Sequence, residues 1–198
     1  MRVSVFDYGA GNLHSLIKTL DRDGATVEIE TDPSRAARAD VLVLPGVGAF
    51  GHAASRMAGG LADMRSALRG GLPCLGICLG MQLLFEGSDE GAGSGLGIFP
   101  GRVHRLEGGR IPQIGWNTIE SGDDPLLSAA PLTTAYYANS YVCRPDDDGC
   151  VHAWSTHGGA RFPALVRAER TVGVQFHPEK SSAPGVELVR AFLREAAQ

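Results

Sequence analysis

Residues 72–85 constrain the fold more tightly than any other stretch of the chain. Leu72 to Ile77 is an apolar run with the length and continuity of a buried strand, and Cys78-Leu79-Gly80 carries it without a loop into the helical pattern of Met81 to Phe85. A strand that becomes a helix at once must turn sharply, with the side chain at the turn lifted out of the sheet. The neighbouring backbone crowds such a turn, so small residues are needed two positions to either side. Gly76 and Gly80 stand there. A turn of this kind belongs to parallel strands joined by crossover helices.

The rest of the first half agrees. Residues 2–6 and 26–30 read as strands, and Val41-Leu42-Val43-Leu44 is a continuous apolar run suited to burial on both faces. Leu13, Leu16, Ile17 and Leu20 recur at helical spacing, as do Met57, Leu61, Met64 and Leu68. Strands alternating with helices predict an α/β fold with a central, mostly parallel sheet flanked by helices. From residue 87 the pattern changes. Glycines at 87, 91, 93, 95, 97 and 101 follow no period and predict a soft loop. Short runs at 102–106, 115–119, 135–142, 151–154 and 163–168 then predict a smaller antiparallel or mixed portion. Leu188, Val189, Phe192 and Leu193 predict a closing helix after the candidate cap Ser182. A length of 198 residues suits one core, so residues 1–198 are expected to form a single domain.

Composition excludes several roles. With 22 acidic against 18 basic side chains the net charge is -4, and no Lys/Arg block offers a footprint for nucleic acid. No apolar run approaches the roughly 20 residues that cross a bilayer, so no membrane partner is expected. Cys74, Cys78, Cys143 and Cys150 lack the two-residue spacing of a zinc or dithiol motif, which predicts neither a metal site nor a disulfide framework. A strand at 2–6 leaves no room for a secretion signal, and a cytoplasmic protein is expected.

Three segments at apparent strand ends could carry chemistry. Cys78 has the placing of a nucleophile, with a helix start beneath the sulfur to favour negative charge, although a cysteine there is equally a small apolar core residue. In Gln175-Phe176-His177-Pro178-Glu179, proline biases His177 toward an extended conformation, so that Glu179, two positions on, can reach the imidazole. A carboxylate on one ring nitrogen frees the other for proton transfer. A lone His-x-Glu is more often a surface ion pair, and the strand before it is what favours a site. Gly46 and Gly48 flank Val47 and give its peptide freedom to aim an N–H at an oxyanion, with the N–H of Leu79 as the second donor; a plain turn is the commoner reading of such a loop. Tyr8-Gly9-Ala10-Gly11-Asn12 lacks the third glycine of a dinucleotide fingerprint, and no cofactor is expected. Together, nucleophile, donor loop and acid-paired histidine describe a cysteine acyl-transfer site.

These residues resemble the class I, or triad, glutamine amidotransferases along the whole chain. Gly76-Ile77-Cys78-Leu79-Gly80-Met81-Gln82 is similar to the class-wide nucleophile motif, and Gln175 to Glu179 to the His/Glu motif. Asp7 to Asn12, Pro45 to Gly48, Gly115-Trp116-Asn117 and Lys180-Ser181 resemble more closely the glutaminase subunits of imidazole glycerol phosphate synthases. The resemblance implies a flavodoxin-like amidotransferase fold and a Cys78–His177–Glu179 triad that hydrolyses glutamine through a thioester. It places the oxyanion between the N–H groups of Val47 and Leu79. It also implies substrate contacts from Gln82, Asn139, Ser140 and Tyr141. The implied partner is a (β/α)8-barrel cyclase subunit that receives the ammonia in a heterodimer, during histidine biosynthesis, and Asn12, Trp116, Tyr136 and Lys180 are candidates for the docking face. Two departures stand out, since many relatives have histidine where Gln113 and Asn139 stand.

Other readings use the same residues. A glutaminase subunit of another amidotransferase would share the triad. A cysteine peptidase or deglycase on a similar sheet often has histidine directly after the nucleophile, where this chain has Leu79. A non-catalytic interaction subunit would have no need of an intact triad.

Overall fold

The apolar runs at 41–44 and 74–77 lie side by side at the centre of a seven-stranded sheet in the computed structural model, which describes residues 1–9, 13–21, 24–120 and 122–198. Strand β1 (Arg2–Phe6) leads through α1 (His14–Leu20) to β2 (Thr26–Glu30), and α2 (Pro33–Ala36) leads to β3 (Val41–Leu44). Helices α3 (Phe50–Met57) and α4 (Leu61–Arg69) precede β4 (Cys74–Ile77), which turns directly into α5 (Leu79–Leu83). There follow β5 (Gly87–Ser88), β6 (Gly101–Arg105), β7 (Gln113–Thr118), α6 (Pro125–Ala129), β8 (Thr134–Asn139) and β9 (Tyr141–Pro145). The chain closes with β10 (Val151–His157), β11 (Ala160–Ala168), β12 (Thr171–Val174) and α7 (Ser182–Ala196).

The large sheet has the order β10-β11-β12-β4-β3-β1-β2. From β12 to β2 every pairing is parallel, whereas β10 and β11 add an antiparallel edge. Two smaller sheets form the rest: β5-β6-β9 is mixed, with β5 parallel and β9 antiparallel to β6, and β7-β8 is antiparallel. Side chains alternate across a strand, so the central strands feed two cores. Val3, Val5, Val43 and Ile77 pack with α1 and α7 on one face. Phe6, Leu42, Leu44 and Cys74 pack with α3, α4 and α5 on the other. Because β1 continues outward to β2 while β3 and β4 lie on its other side, the crossovers diverge at the carboxyl ends of β1 and β3. That end of an open α/β sheet is where ligand crevices form.

Several local expectations shift. The helix expected through Met57 and Leu68 is two helices joined by a 3-10 turn at Ala58–Gly60, because Gly60 passes against α2: a Cβ there would lie 2.7 Å from the backbone nitrogen of Ser34. The run 135–142 divides at Ser140 into β8 and β9. Helices α2 and α6 had a legible signal in Asp32-Pro33 and Asp124-Pro125, where the aspartate accepts from the first free N–H groups and proline occupies the first turn. Ser182 is not the cap of α7; the helix begins there and the preceding Ser181 spends its hydroxyl elsewhere.

The glycine segment 87–101 is a loop between two short strand ends, and contacts that the sequence does not show hold it in order. Its ends belong to β5 and β6, and the stretch between them is bound to α5 and the residues just after it through Gly95 N–H to Glu86 O at 2.9 Å, Leu96 N–H to Leu83 O at 2.7 Å and Ile98 N–H to Leu84 O at 2.8 Å. Leu96 and Phe99 are buried beneath it. Glycine at 95 meets a need for room, since a Cβ would sit 2.0 Å from the carbonyl oxygen of Phe85.

An ion cluster with a buried aspartate at its centre and a half-exposed glutamate at its rim ties the second half to the sheet. Arg167 on β11 grips Asp124 with Nε to Oδ2 at 2.6 Å and Nη2 to Oδ1 at 3.1 Å, and reaches Glu195 of α7 with Nη1 at 2.6 Å. The Asp124 side chain is fully buried while capping α6. Arg167→Met would leave that carboxylate without its cation, and a loss of about 3 kcal/mol is expected, read as the shift of a urea unfolding midpoint.

Candidate active site

Cys78 follows the last residue of β4 with φ +47° and ψ -103°, a conformation that an L-residue adopts only when its surroundings impose it. Its N–H donates to Val174 O on β12 at 2.7 Å, and its carbonyl accepts from Gln82 N–H of α5 at 3.1 Å. The two flanking glycines are dictated by contact. A Cβ on Gly80 would fall 2.0 Å from Leu44 O, and one on Gly76 would fall 2.7 Å from Gly80 O. The turn expected from the sequence is present, and the crowding has a named source in β3 and the turn itself.

The segment after β12 brings the histidine to the same place. His177 is buried, and its Nδ1 lies 2.8 Å from Glu179 Oε1, which is itself largely buried. Glu179 sits in a 3-10 turn, Pro178–Lys180, rather than in extended chain, yet it reaches the imidazole as expected. Two bonds fix the segment to β8, His177 N–H to Tyr136 O at 2.8 Å and Tyr136 N–H to Ser181 Oγ at 2.9 Å, and a third, Ser181 Oγ–H to His177 O at 2.7 Å, ties the segment to itself. Burial alone pulls the imidazole pKa down. Hydrogen bonds and charge from Cys78 and Glu179 outweigh it and raise the value from an ordinary 6.5 to about 10. With Nδ1 taken by the carboxylate, Nε2 is the nitrogen left to serve the sulfur.

The loop after β3 completes the crevice. Gly46 stands where a Cβ would come 2.8 Å from Cε1 of His177, so glycine is needed for room. Gly48 has φ +125°, which glycine alone adopts easily. The buried Tyr8 hydroxyl donates to Pro45 O and anchors the loop; burial, then the neighbouring Cys78 and Asp7, hold its pKa well above the ordinary tyrosine value, so it remains a donor. Val47, Gly48 and Leu79 border a cavity of about 280 Å³ with Cys78 and His177 on its floor. Leu79 opens α5, and the first N–H groups of a helix have no partner within it.

Gln82, Asn139, Ser140 and Tyr141 all line this cavity. The amides of Gln82 and Asn139 each donate to Tyr141 O at 3.1 Å, so they shape the wall through the start of β9. Asn139 faces Gln113 across the β7–β8 pairing, and Gln113 is buried with neither amide atom hydrogen-bonded. Lys180 belongs both to the cavity and to the outer surface, where Nζ lies 5.8 Å from the ring centre of Tyr136. Trp116 and Tyr136 pack edge to face with ring centres 6.4 Å apart, and Trp116 is 56% exposed, with Ile114 on the same ribbon 67% exposed. Asn12 lies outside the described residues, as do Ala10 and Gly11.

Sequence reasoning passed over Glu90, which lines the cavity and accepts from Phe50 N–H at 2.9 Å. It lies in the glycine segment, where no period could place it. Gln175 stands in the sequence only as part of the histidine motif, yet its Nε2 is 3.5 Å from Cys78 Sγ; the two-residue parity of the extended chain leading to His177 places Gln175 on the side of His177. All four cysteines are free, and among the described residues no cluster of three or more His, Cys, Asp or Glu side chains could hold a metal.

Residues 4–196 match the family model for glutamine amidotransferase class-I. The chain is 42% identical over 206 aligned positions to the imidazole glycerol phosphate synthase subunit HisH of Synechococcus sp. strain JA-3-3Ab, covering 100% of this chain and 95% of that one. A corresponding subunit from Thermus thermophilus is 43% identical, with 94% and 93% covered. Among solved structures, one described as a glutamine amidotransferase superposes with a TM-score of 0.74 at 22% identity, covering 99% of each chain. PurLQS from Thermotoga maritima also gives 0.74, at 18% identity and 98% coverage of each; both show likeness of fold.

Two outcomes test this geometry. Gly80→Ala should lower stability by about 3 kcal/mol, read by denaturant unfolding, because the new methyl group strikes backbone that cannot rotate away. A raised histidine binds a proton in the folded state that the unfolded chain releases near 6.5, so its contribution to stability is complete below that pH and is lost as pH climbs through about 10. In Cys78→Ala the imidazole loses one of its two supports, and the His177 titration followed by NMR should move to lower pH.

Proposed function

The chain belongs to the class I glutamine amidotransferases, and on that premise we propose that it works as the glutaminase subunit of an imidazole glycerol phosphate synthase. The observation that carries the chemistry is the buried Cys78–His177–Glu179 constellation beside a cavity of amino-acid size. Cys78 adds to the side-chain amide carbon of glutamine. The oxyanion is held by the N–H groups of Val47 and Leu79, which the freedom of Gly48 and the clearance at Gly46 allow to converge. His177, paired with Glu179, gives its proton to the departing ammonia, leaving a γ-glutamyl thioester. The imidazole then takes a proton from water, hydroxide displaces the sulfur, and glutamate leaves. No cofactor enters these steps.

Glutamine arrives as a zwitterion, and the cavity wall carries one acid and one ammonium, Glu90 and Lys180. Glu90 suits the substrate's ammonium. Gln82, Asn139, Ser140 and Tyr141 line the amino-acid end. We read residues 1–198 as one glutaminase domain acting in the cytoplasm.

Free ammonia is lost to solvent unless an acceptor site adjoins, so the subunit docks on a (β/α)8-barrel cyclase that uses it. The exposed Trp116 and Ile114, backed by Tyr136 and Lys180, support that ribbon as part of the docking face. Asn12 is proposed for the same face from its place in the sequence.

Glutamate release is the direct test. With a cyclase subunit present, wild type should release glutamate and Cys78→Ala should lose at least about a thousandfold, since removal of a nucleophile removes the covalent route. Trp116→Ala should keep the triad intact but require about tenfold more cyclase for half-maximal stimulation. Release by Cys78→Ala at the wild-type rate would overturn the mechanism.

A further inference from the structure

Gln175 is fully buried directly after β12, and its backbone is fixed by a 3.0 Å bond from its N–H to Ala164 O. Its side-chain amide makes a hydrogen bond to the sulfur of Cys78, from Nε2 at 3.5 Å, while Oε1 is buried with no partner at all. An apolar side chain of the same length would fill this space without stranding a carbonyl, so packing does not account for an amide here. The sulfur is bracketed by two groups of opposite sense. Ala138 O, 4.0 Å away, can only accept and so suits the S–H of a thiol; the Gln175 amide donates and so suits a thiolate.

We propose that Gln175 is a positioning residue for the nucleophile: its amide N–H holds the Cys78 sulfur as a thiolate aimed at the cavity, in concert with His177. The inference rests on Cys78 being the nucleophile of the proposed glutaminase. A neutral donor has a use that the imidazolium cannot serve throughout the cycle. His177 gives its proton to the departing ammonia and regains one from water, whereas the amide keeps its N–H through both exchanges and is in place whenever negative charge stands on sulfur. The donor strengthens as charge develops on sulfur and weakens while the sulfur is acylated.

The test is the rate of alkylation of Cys78 by iodoacetamide across pH, in the full chain, read peptide by peptide so that Cys150 does not contribute. Gln175→Met keeps the volume and removes the donor. Its alkylation rate at pH 7 should fall about tenfold, the size expected for losing one hydrogen bond to a charged group, with the rise in rate displaced to higher pH. Gln175→Glu keeps the shape and offers a carboxylate instead, and it should lose more. A folded variant with the wild-type pH profile would overturn the proposal. So would failure of both variants to fold, because the amide would then serve the fold rather than the sulfur. Alkylation needs no glutamine, so a displaced profile in the variants beside a wild type that releases no glutamate even with the cyclase subunit present would refute the glutaminase reading and leave only the amide's hold on the sulfur standing.

Discussion

The backbone at Cys78 is held at φ +47° against its own preference, and the restraint comes from the parallel pairing of β4 with β3 on one side and β12 on the other. Val174 O binds the Cys78 N–H, and the carbonyl of Leu44 leaves no room for anything larger than glycine at position 80. A strained turn survives only where rigid neighbours determine it many times over, and the centre of a doubly covered sheet is such a place. The nucleophile, its histidine and the loop at 45–48 therefore come from three adjacent strand ends, and the precision of the site is the precision of the sheet.

Around that turn the polar groups form a linked set. Glu179 holds His177, Ser181 and Tyr136 hold the His177 backbone, and the Tyr136 ring in turn packs perpendicular to Trp116 and has Lys180 over its face. The exposed ribbon at β7–β8 and the buried imidazole thus share one residue. Displacement of Tyr136 by a docked protein would be felt at the triad through the 2.8 Å bond from His177 N–H to Tyr136 O. On the other side of the crevice, Tyr8 fastens Pro45 while Gly48 leaves the next peptides free, so the loop is anchored at one end and yielding at the other.

Legibility from sequence followed the range of the interactions. The turn at Cys78 could be read because its requirements lie within two residues. The pairing of His177 with Glu179 could be read because it is also local, although the connecting backbone proved to be a turn. Glu90 could not be placed, because its position depends on the N–H of Phe50, 40 residues away in the chain. The packing of the glycine segment could not be read for the same reason: its lack of period marks a loop, but its order comes from carbonyls of α5 and the residues just after it that no local pattern can foretell. Gln175 was within reach, since its parity with His177 was available and only the sulfur it faces was not.

The sequence alone determined that the chain is α/β, that its central strands are buried on both faces, and that Cys78, His177 and Glu179 stand at strand ends. Those facts rest on periodicity and on neighbours one to four residues apart. Only the tertiary structure decided which glycines give room and which give conformational freedom, that 87–101 is packed rather than soft, and that an amide lies against the nucleophilic sulfur. Each of these depends on which strands come to lie side by side. That order, β12-β4-β3-β1, is chosen by the packing of helices on both faces and is written in no single segment.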